Sequence, residues 1–163
     1  RAINREQGVE ACGLIVCGEG ADDERFAARL RRQAAALDNV LITGYRDDVR
    51  NILSISNLVV SLSPRPESFG RGALQALQLG VPVLGYDHGA VGELLNQAFA
   101  EGASPPGDVP ALVAKAAELI RRPLPVAECP AFRLSHTLNE TIGLYEQLSR
   151  RWQPQPAAAG GAA

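Results

Sequence analysis

A chain of 163 residues is long enough for one domain with a real core and too short for two ordinary ones. Its 16 Lys and Arg stand against 18 Asp and Glu, a formal net charge of -2, so no basic surplus is available to hold a nucleic-acid backbone, and nucleic acid is not an expected partner. Cys12, Cys17 and Cys129 are an odd set without a C-x-x-C pair, and His88 and His136 share no ligand spacing with them, which argues against a disulfide framework and leaves no metal site to read.

Short β-rich runs alternate with helical patterns, as in βα units that feed a mostly parallel sheet. Gly13 to Cys17 reads as a buried strand, with a turn at Gly18-Glu19-Gly20. A helix follows whose apolar face is Phe26, Leu30, Ala34 and Leu37, and Asp22 or Asp23 can cap it. Val40 to Thr43 is a second strand ending at Gly44, and Asp47-Asp48 opens a short helix. Leu58 to Leu62 is a third strand. An irregular stretch from Ser63 to Gly70 leads into a helix through Ala73, Leu74, Ala76, Leu77 and Leu79, terminated by Gly80 and Pro82. Pro82 to Tyr86 is a fourth strand, and Gly92 to Leu95 suggests another helix. Asp108 can cap a helix through Leu112, Val113, Ala116, Leu119 and Ile120. Leu134, Leu138, Thr141, Tyr145, Leu148 and Trp152, three or four residues apart, form one apolar stripe on a last helix. One α/β domain over residues 1–152 is therefore expected, followed by a patternless Pro, Ala and Gly tail, 153–163, expected to be disordered. No apolar run approaches the ~18 residues of a membrane span.

In open parallel sheets ligands bind outside the carboxyl ends of the strands, which directs attention to the segments after Cys17, Thr43, Leu62 and Tyr86. The third is the richest. Pro66 stiffens it, Gly70 and Gly72 allow close backbone approach, and a helix N-terminus behind it supplies free N–H groups and a positive dipole end suited to a phosphate. A carboxylate, Glu67, stands in the same loop.

The run S-P-R-P-E-S-F-G from Ser63 to Gly70, with Gln75-Ala76, G-V-P-V from Gly80 to Val83 and D-H-G-A-V-G-E from Asp87 to Glu93, closely resembles the signature of glycosyltransferase family 4, also called group 1. The resemblance extends to the Ile15–Gly20 strand and turn, to Val40–Tyr45 and to Pro106-Gly107-Asp108, and covers roughly residues 13 to 150. It implies the C-terminal, nucleotide-sugar-binding half of a GT-B enzyme: an α/β, Rossmann-like parallel sheet flanked by helices. It also implies transfer of a sugar from a nucleoside diphosphate with retention at the anomeric carbon, without a metal or other cofactor. In bacteria such enzymes often build lipopolysaccharide or other cell-envelope polysaccharide.

On this resemblance, Glu67 matches the first acid of an E-x7-E motif beside the donor sugar. The N–H groups of Ser68, Phe69 and Gly70 match those that hold sugar hydroxyls and diphosphate, and Gly44, Tyr45 and Arg46 match the turn against the base. The position of the second acid, which accepts from ribose hydroxyls, is Gln75 here. A neutral hydrogen bond contributes ~0.5–1.5 kcal/mol where a charged one gives ~1.5–3, so weaker or altered donor binding is one implication.

Members of the family begin this domain with a central strand and a glycine-rich turn bearing an Arg and a Lys that neutralise the diphosphate. No such strand precedes Gly13, Arg1 to Ala11 reads as the end of the helix that would follow it, and the chain contains no methionine. A fragment is expected, lacking that strand and an N-terminal acceptor-binding domain, cytoplasmic, and reaching a membrane face only through the other half. The flanking strands would then pair directly, receive the Arg1–Ala11 segment between them, or keep open edges. The isolated chain is expected to be loosely folded and to bind nucleotide sugars at best in the millimolar range. Two rival readings remain. A nicotinamide-binding domain would need a third glycine where Asp23 stands, and a non-catalytic relative that kept the fold is left open by Gln75.

Overall fold

The computed structural model describes residues 3–4, 7–8, 10–16, 24–128 and 132–152. It divides into two units, Arg1–Glu128 and Cys129–Ala163. Cys17, the Gly18-Glu19-Gly20 turn, the Asp22 and Asp23 caps, Cys129 and the 153–163 tail lie outside the described residues.

Within the first unit, β1 (Gly13–Val16), α1 (Glu24–Ala35), β2 (Val40–Gly44) and α2 (Val49–Ser54) come first. β1 and β2 pair in parallel as a two-stranded sheet, Leu14 opposite Leu41, with a register irregularity between Ile15 and Val16. β3 (Val59–Ser61), α3 (Arg71–Gln78), β4 (Val83–Tyr86), α4 (Gly89–Ala98), β5 (Ala103–Ser104) and α5 (Val109–Arg121) follow. Their strands form a second parallel sheet in the order β3-β4-β5, Val59 opposite Val83 and Tyr86 opposite Ser104. Parallel strands with helical crossovers are the architecture the alternating pattern predicts.

The core sits around β4. Val83 and Leu84 have no exposure, and the apolar run that contains them is what a strand covered on both faces requires. α3 turns Ala73, Leu74, Ala76 and Leu77 inward, α4 contributes Val91, Leu94 and Leu95, and Leu112 and Ala116 of α5 close a cluster on Leu84. α3 ends as expected, with Gly80 at φ 75°. The Asp108 cap forms too, its carboxylate accepting from the Ala111 N–H at 3.0 Å.

A short 3-10 turn, Ala100–Gly102, and the two-residue β5 were not anticipated. At Gly102 a Cβ would collide with the Val83 carbonyl oxygen and the Phe99 ring, so only glycine lets this turn lie against β4. The Lys115 ammonium donates to the Ala103 carbonyl, and Pro105 and Pro106 follow directly.

The first sheet departs from expectation. Gly13 to Cys17 reads as a buried strand, yet in the observed strand Leu14 is 44% and Val16 37% exposed, and Leu41 across from Leu14 is 63% exposed. The faces of a parallel strand are covered by crossover helices, and among the described residues α1 packs chiefly on β2 rather than on β1. β1 and β3 lie in different sheets and are not paired with each other. Ile3 and Asn4 are helical, the Asn4 amide exchanging bonds with the Ala11 backbone at 3.3 and 3.4 Å, and Ile3 packs on the Leu84 cluster. Among the described residues β1 and β3 each have one strand neighbour, and the Arg1–Ala11 segment lies partly outside those residues.

The second unit consists of α6 (Leu134–Arg151), which buries no residue. Leu134, Leu138, Tyr145 and Leu148 are exposed on its stripe, and Glu146 and Arg150 pair at 3.6 Å one turn apart. Among the described residues no helix is long and apolar enough to cross a membrane.

The asymmetry of the two sheets is measurable. Leu95→Ala, in a side chain with no exposure, should cost about 2–5 kcal/mol in denaturant unfolding. Leu41→Ala should cost under about 1 kcal/mol, because most of that side chain is already in water.

Candidate active site

The carboxyl ends of β3 and β4 meet in a small pocket lined by six residues with polar groups, Ser61, Ser63, Arg65, Glu67, Tyr86 and His88, and by Val91. Two segments build it. The loop from Leu62 to Gly70 leaves β3, and the turn Asp87–Ala90 leaves β4 and enters α4.

The turn grips the loop at several points. The Ala90 N–H donates to the Glu67 carbonyl at 3.0 Å, and the His88 Nε2 lies 3.0 Å from the Ser63 carbonyl oxygen. Gly89 adopts φ 55°, and a Cβ on it would stand 2.8 Å from Pro66 Cβ and 3.0 Å from the Glu67 carbonyl oxygen. Gly70 is left-handed at φ 70°, and its own Cβ would meet Val91 of α4 at 2.8 Å. Glycines at 70 and 89 are thus required by close approach as well as by backbone angle. Asp87 is fixed in turn, its N–H donating to the Ser104 carbonyl at 2.8 Å and its carboxylate accepting from Asn96 at 2.8 Å.

Held this way, the Glu67 side chain is exposed, as are Ser68 and Phe69. Gly70 is the N-cap of α3, with no side chain bonded to the helix's first N–H groups. Those donors and the helix dipole face the loop and favour an anion. Arg71 and Gln75, four residues apart, lie together on the exposed side of α3, opposite its buried Ala73, Leu74, Ala76 and Leu77. Glu67, Ser68, Phe69, Arg71, Gly72 and Gln75 therefore line one exposed edge, with Gly70, Ala73 and Leu74 buried behind it.

Gly44 ends β2, in the other sheet, Tyr45 and Arg46 follow it, and none of the hydrogen bonds among the described residues joins the three to the Glu67–Gln75 edge. Tyr45 is exposed. Arg46 is engaged by Asp48 in a two-point fork, Nε to Oδ1 at 2.7 Å and Nη2 to Oδ2 at 2.6 Å. That engagement explains why Asp48, which precedes α2, forms no side-chain cap there. The hydrogen bond to Arg46, with its charge, holds the Asp48 carboxyl below its usual range and raises the guanidinium. Since the folded pKa of Asp48 is the lowered one, whatever the pair adds to stability is present above the unfolded carboxylate pKa. It is lost as pH falls through the folded value.

His88 and Tyr86 were not among the residues expected to form the site. Their rings stand edge to face, centroids 5.9 Å apart at 83°. In the sequence Tyr86 ends the fourth strand and His88 stands within the D-H-G-A-V-G-E run, but no spacing links either to Glu67.

Residues 2–131, which contain the whole of this site, match the family model of the glycosyl transferases group 1. The chain belongs to that family. The group 1 chain is 32% identical over 84 residues to the N-acetyl-alpha-D-glucosaminyl L-malate synthase of Bacillus anthracis, a stretch covering 52% of this chain and 22% of that protein. Among solved structures it resembles a glycosyltransferase from Rickettsia africae ESF-5, with a TM-score of 0.71, 19% identity, and coverage of 93% of this chain and 43% of that one. It also resembles Anabaena Alr3699/HepE in complex with UDP and glucose, with a TM-score of 0.59, 17% identity, and coverage of 91% and 42%. The group 1 chain thus spans less than half the length of each of these proteins, and shares with the two solved structures a parallel α/β fold.

The grip of the turn on the loop can be tested at its tightest point. Gly89→Ala should destabilise the chain by about 1–3 kcal/mol more than Gly80→Ala in urea unfolding. Both residues have positive φ, but a Cβ at 80 enters open space whereas one at 89 meets Pro66 and Glu67.

Proposed function

We propose that this chain is the donor-binding part of a retaining glycosyltransferase, which moves a sugar from a nucleoside diphosphate to an acceptor held by an N-terminal domain. The observation that carries the reading is that the group 1 match spans the exposed Glu67–Gln75 edge at the carboxyl ends of the strands. In this reading Glu67 lies beside the donor sugar, and the N–H groups of Ser68, Phe69 and Gly70 hold sugar hydroxyls and diphosphate. The anion-favouring start of α3 supports that assignment.

Gln75 accepts from the ribose hydroxyls through its amide oxygen. The base lies against Gly44, Tyr45 and Arg46. With the Arg46 fork closed on Asp48, the exposed Tyr45 ring is the flat surface on which a base stacks. Alr3699/HepE has been solved with UDP and with UDP-glucose, which makes a uridine diphosphate sugar the first donor to assay. No metal or other cofactor enters the proposal. The acceptor class, a growing cell-envelope polysaccharide or lipopolysaccharide, and a cytoplasmic site of action rest on the family alone.

In the full-length enzyme, Glu67→Ala should lower kcat by about a hundredfold or more. Its unfolding free energy should change by under about 0.5 kcal/mol, because an exposed loop carboxylate supports little packing. Turnover near wild type would remove Glu67 from the donor site. Gln75→Glu should tighten donor binding or leave it unchanged in titration calorimetry, since a carboxylate is the stronger acceptor. Turnover by that variant alone, with wild type inactive toward every nucleotide sugar, would favour a non-catalytic relative.

A further inference from the structure

We propose that His88 is a positioning residue, whose imidazole fixes the Ser63–Glu67 segment at its amino-terminal end so that Glu67 is presented at one place. The inference rests on the donor-loop reading above and adds a residue to it. Because a carbonyl oxygen only accepts, the 3.0 Å contact between His88 Nε2 and the Ser63 carbonyl requires Nε2 to carry the proton.

The contact closes a frame that the backbone leaves incomplete. At its carboxyl end the segment is fixed by main-chain geometry, through the Ala90 N–H on the Glu67 carbonyl and the close approach of Gly89 to Pro66. At its amino end the Ser63 hydroxyl donates to the Arg65 carbonyl, which shapes the turn internally without attaching it to anything else. The attachment to the neighbouring turn is made by His88, whose own N–H donates to the Tyr86 carbonyl at 2.8 Å and whose ring stands edge to face against Tyr86. Arg65 and Glu67, both exposed, are carried between the two anchors. Pro64 and Pro66 further restrict the segment, so displacement at Ser63 is transmitted along the loop instead of being absorbed by it.

Two substitutions separate the hydrogen bond from mere packing. His88→Gln keeps an N–H at the same reach and loses the ring; His88→Phe keeps a ring against Tyr86 and loses the N–H. Backbone order is read by 15N relaxation in the full-length enzyme without ligand, at the Ser63, Arg65 and Glu67 amides. Wild type and His88→Gln should show rigid values of about 0.85, and His88→Phe should fall below about 0.6. The reverse pattern, rigid with Phe and loose with Gln, would overturn the proposal, as would no change in either variant. In the full-length enzyme, His88→Phe should lower kcat/KM for the nucleotide sugar tenfold or more, and His88→Gln should restore it. Loss of loop order in the Phe variant with donor turnover untouched would leave the positioning role standing and overturn the donor-loop reading instead.

Discussion

What positions the site depends on the burial of β4 up to Tyr86, which is itself partly exposed. Val83 and Leu84 are covered on both faces, and the sheet on either side and α3, α4 and α5 all pack on the strand that contains them. Burial of this kind leaves no room for error in the helices above it. At Gly85 a Cβ would stand 2.8 Å from the Val91 side chain and 3.2 Å from the Leu95 side chain, so the side chains of α4 fill the space that a larger residue here would need. The start of α4 is thereby set, and with it Gly89 and Ala90, which in turn set the loop that bears Glu67. The pocket is downstream of an apolar constraint.

Much of this was legible in the residues. The Pro82–Tyr86 run, the Gly80 stop and the Asp108 cap each combine a local conformational demand with an apolar pattern, and each appears where it was read. The exposed edge from Glu67 to Gln75 follows from helical periodicity once Gly70 fixes where α3 begins. β1 was misread because a continuous apolar run signals coverage on both faces, and a sequence pattern carries no information about whether the neighbours that would supply it are present. β5 escaped because Ala103 and Ser104 have little intrinsic strand preference; they are a strand because Gly85 and Tyr86 offer them a partner. His88 escaped because a single histidine has no period.

The strand edges are not equally guarded. At β5 the sheet ends in two residues, with a lysine on the Ala103 carbonyl and two prolines immediately after, devices that discourage another strand from adding there. β1 and β3 have no comparable guard among the described residues, and Val60 of β3 is 49% exposed. Among the described residues the β5 end is therefore the guarded one, and β1, β2 and β3 each have an edge without a strand neighbour.

The way Gly89, Ala90 and His88 hold the loop has a thermodynamic consequence for whatever binds beside it. In a free loop Ser63, Arg65 and Glu67 would each surrender on the order of 1–2 kcal/mol of backbone entropy on being ordered by a ligand, and Pro64 and Pro66, whose φ is already fixed, less. Here that freedom is surrendered when the chain folds, because the anchors lie within the protein. A ligand meeting this edge is spared the ordering cost, and its affinity reflects the contacts it makes with the exposed side chains and amides. Loosening any anchor would return the entropy to the loop and weaken binding without removing a single group that touches the ligand.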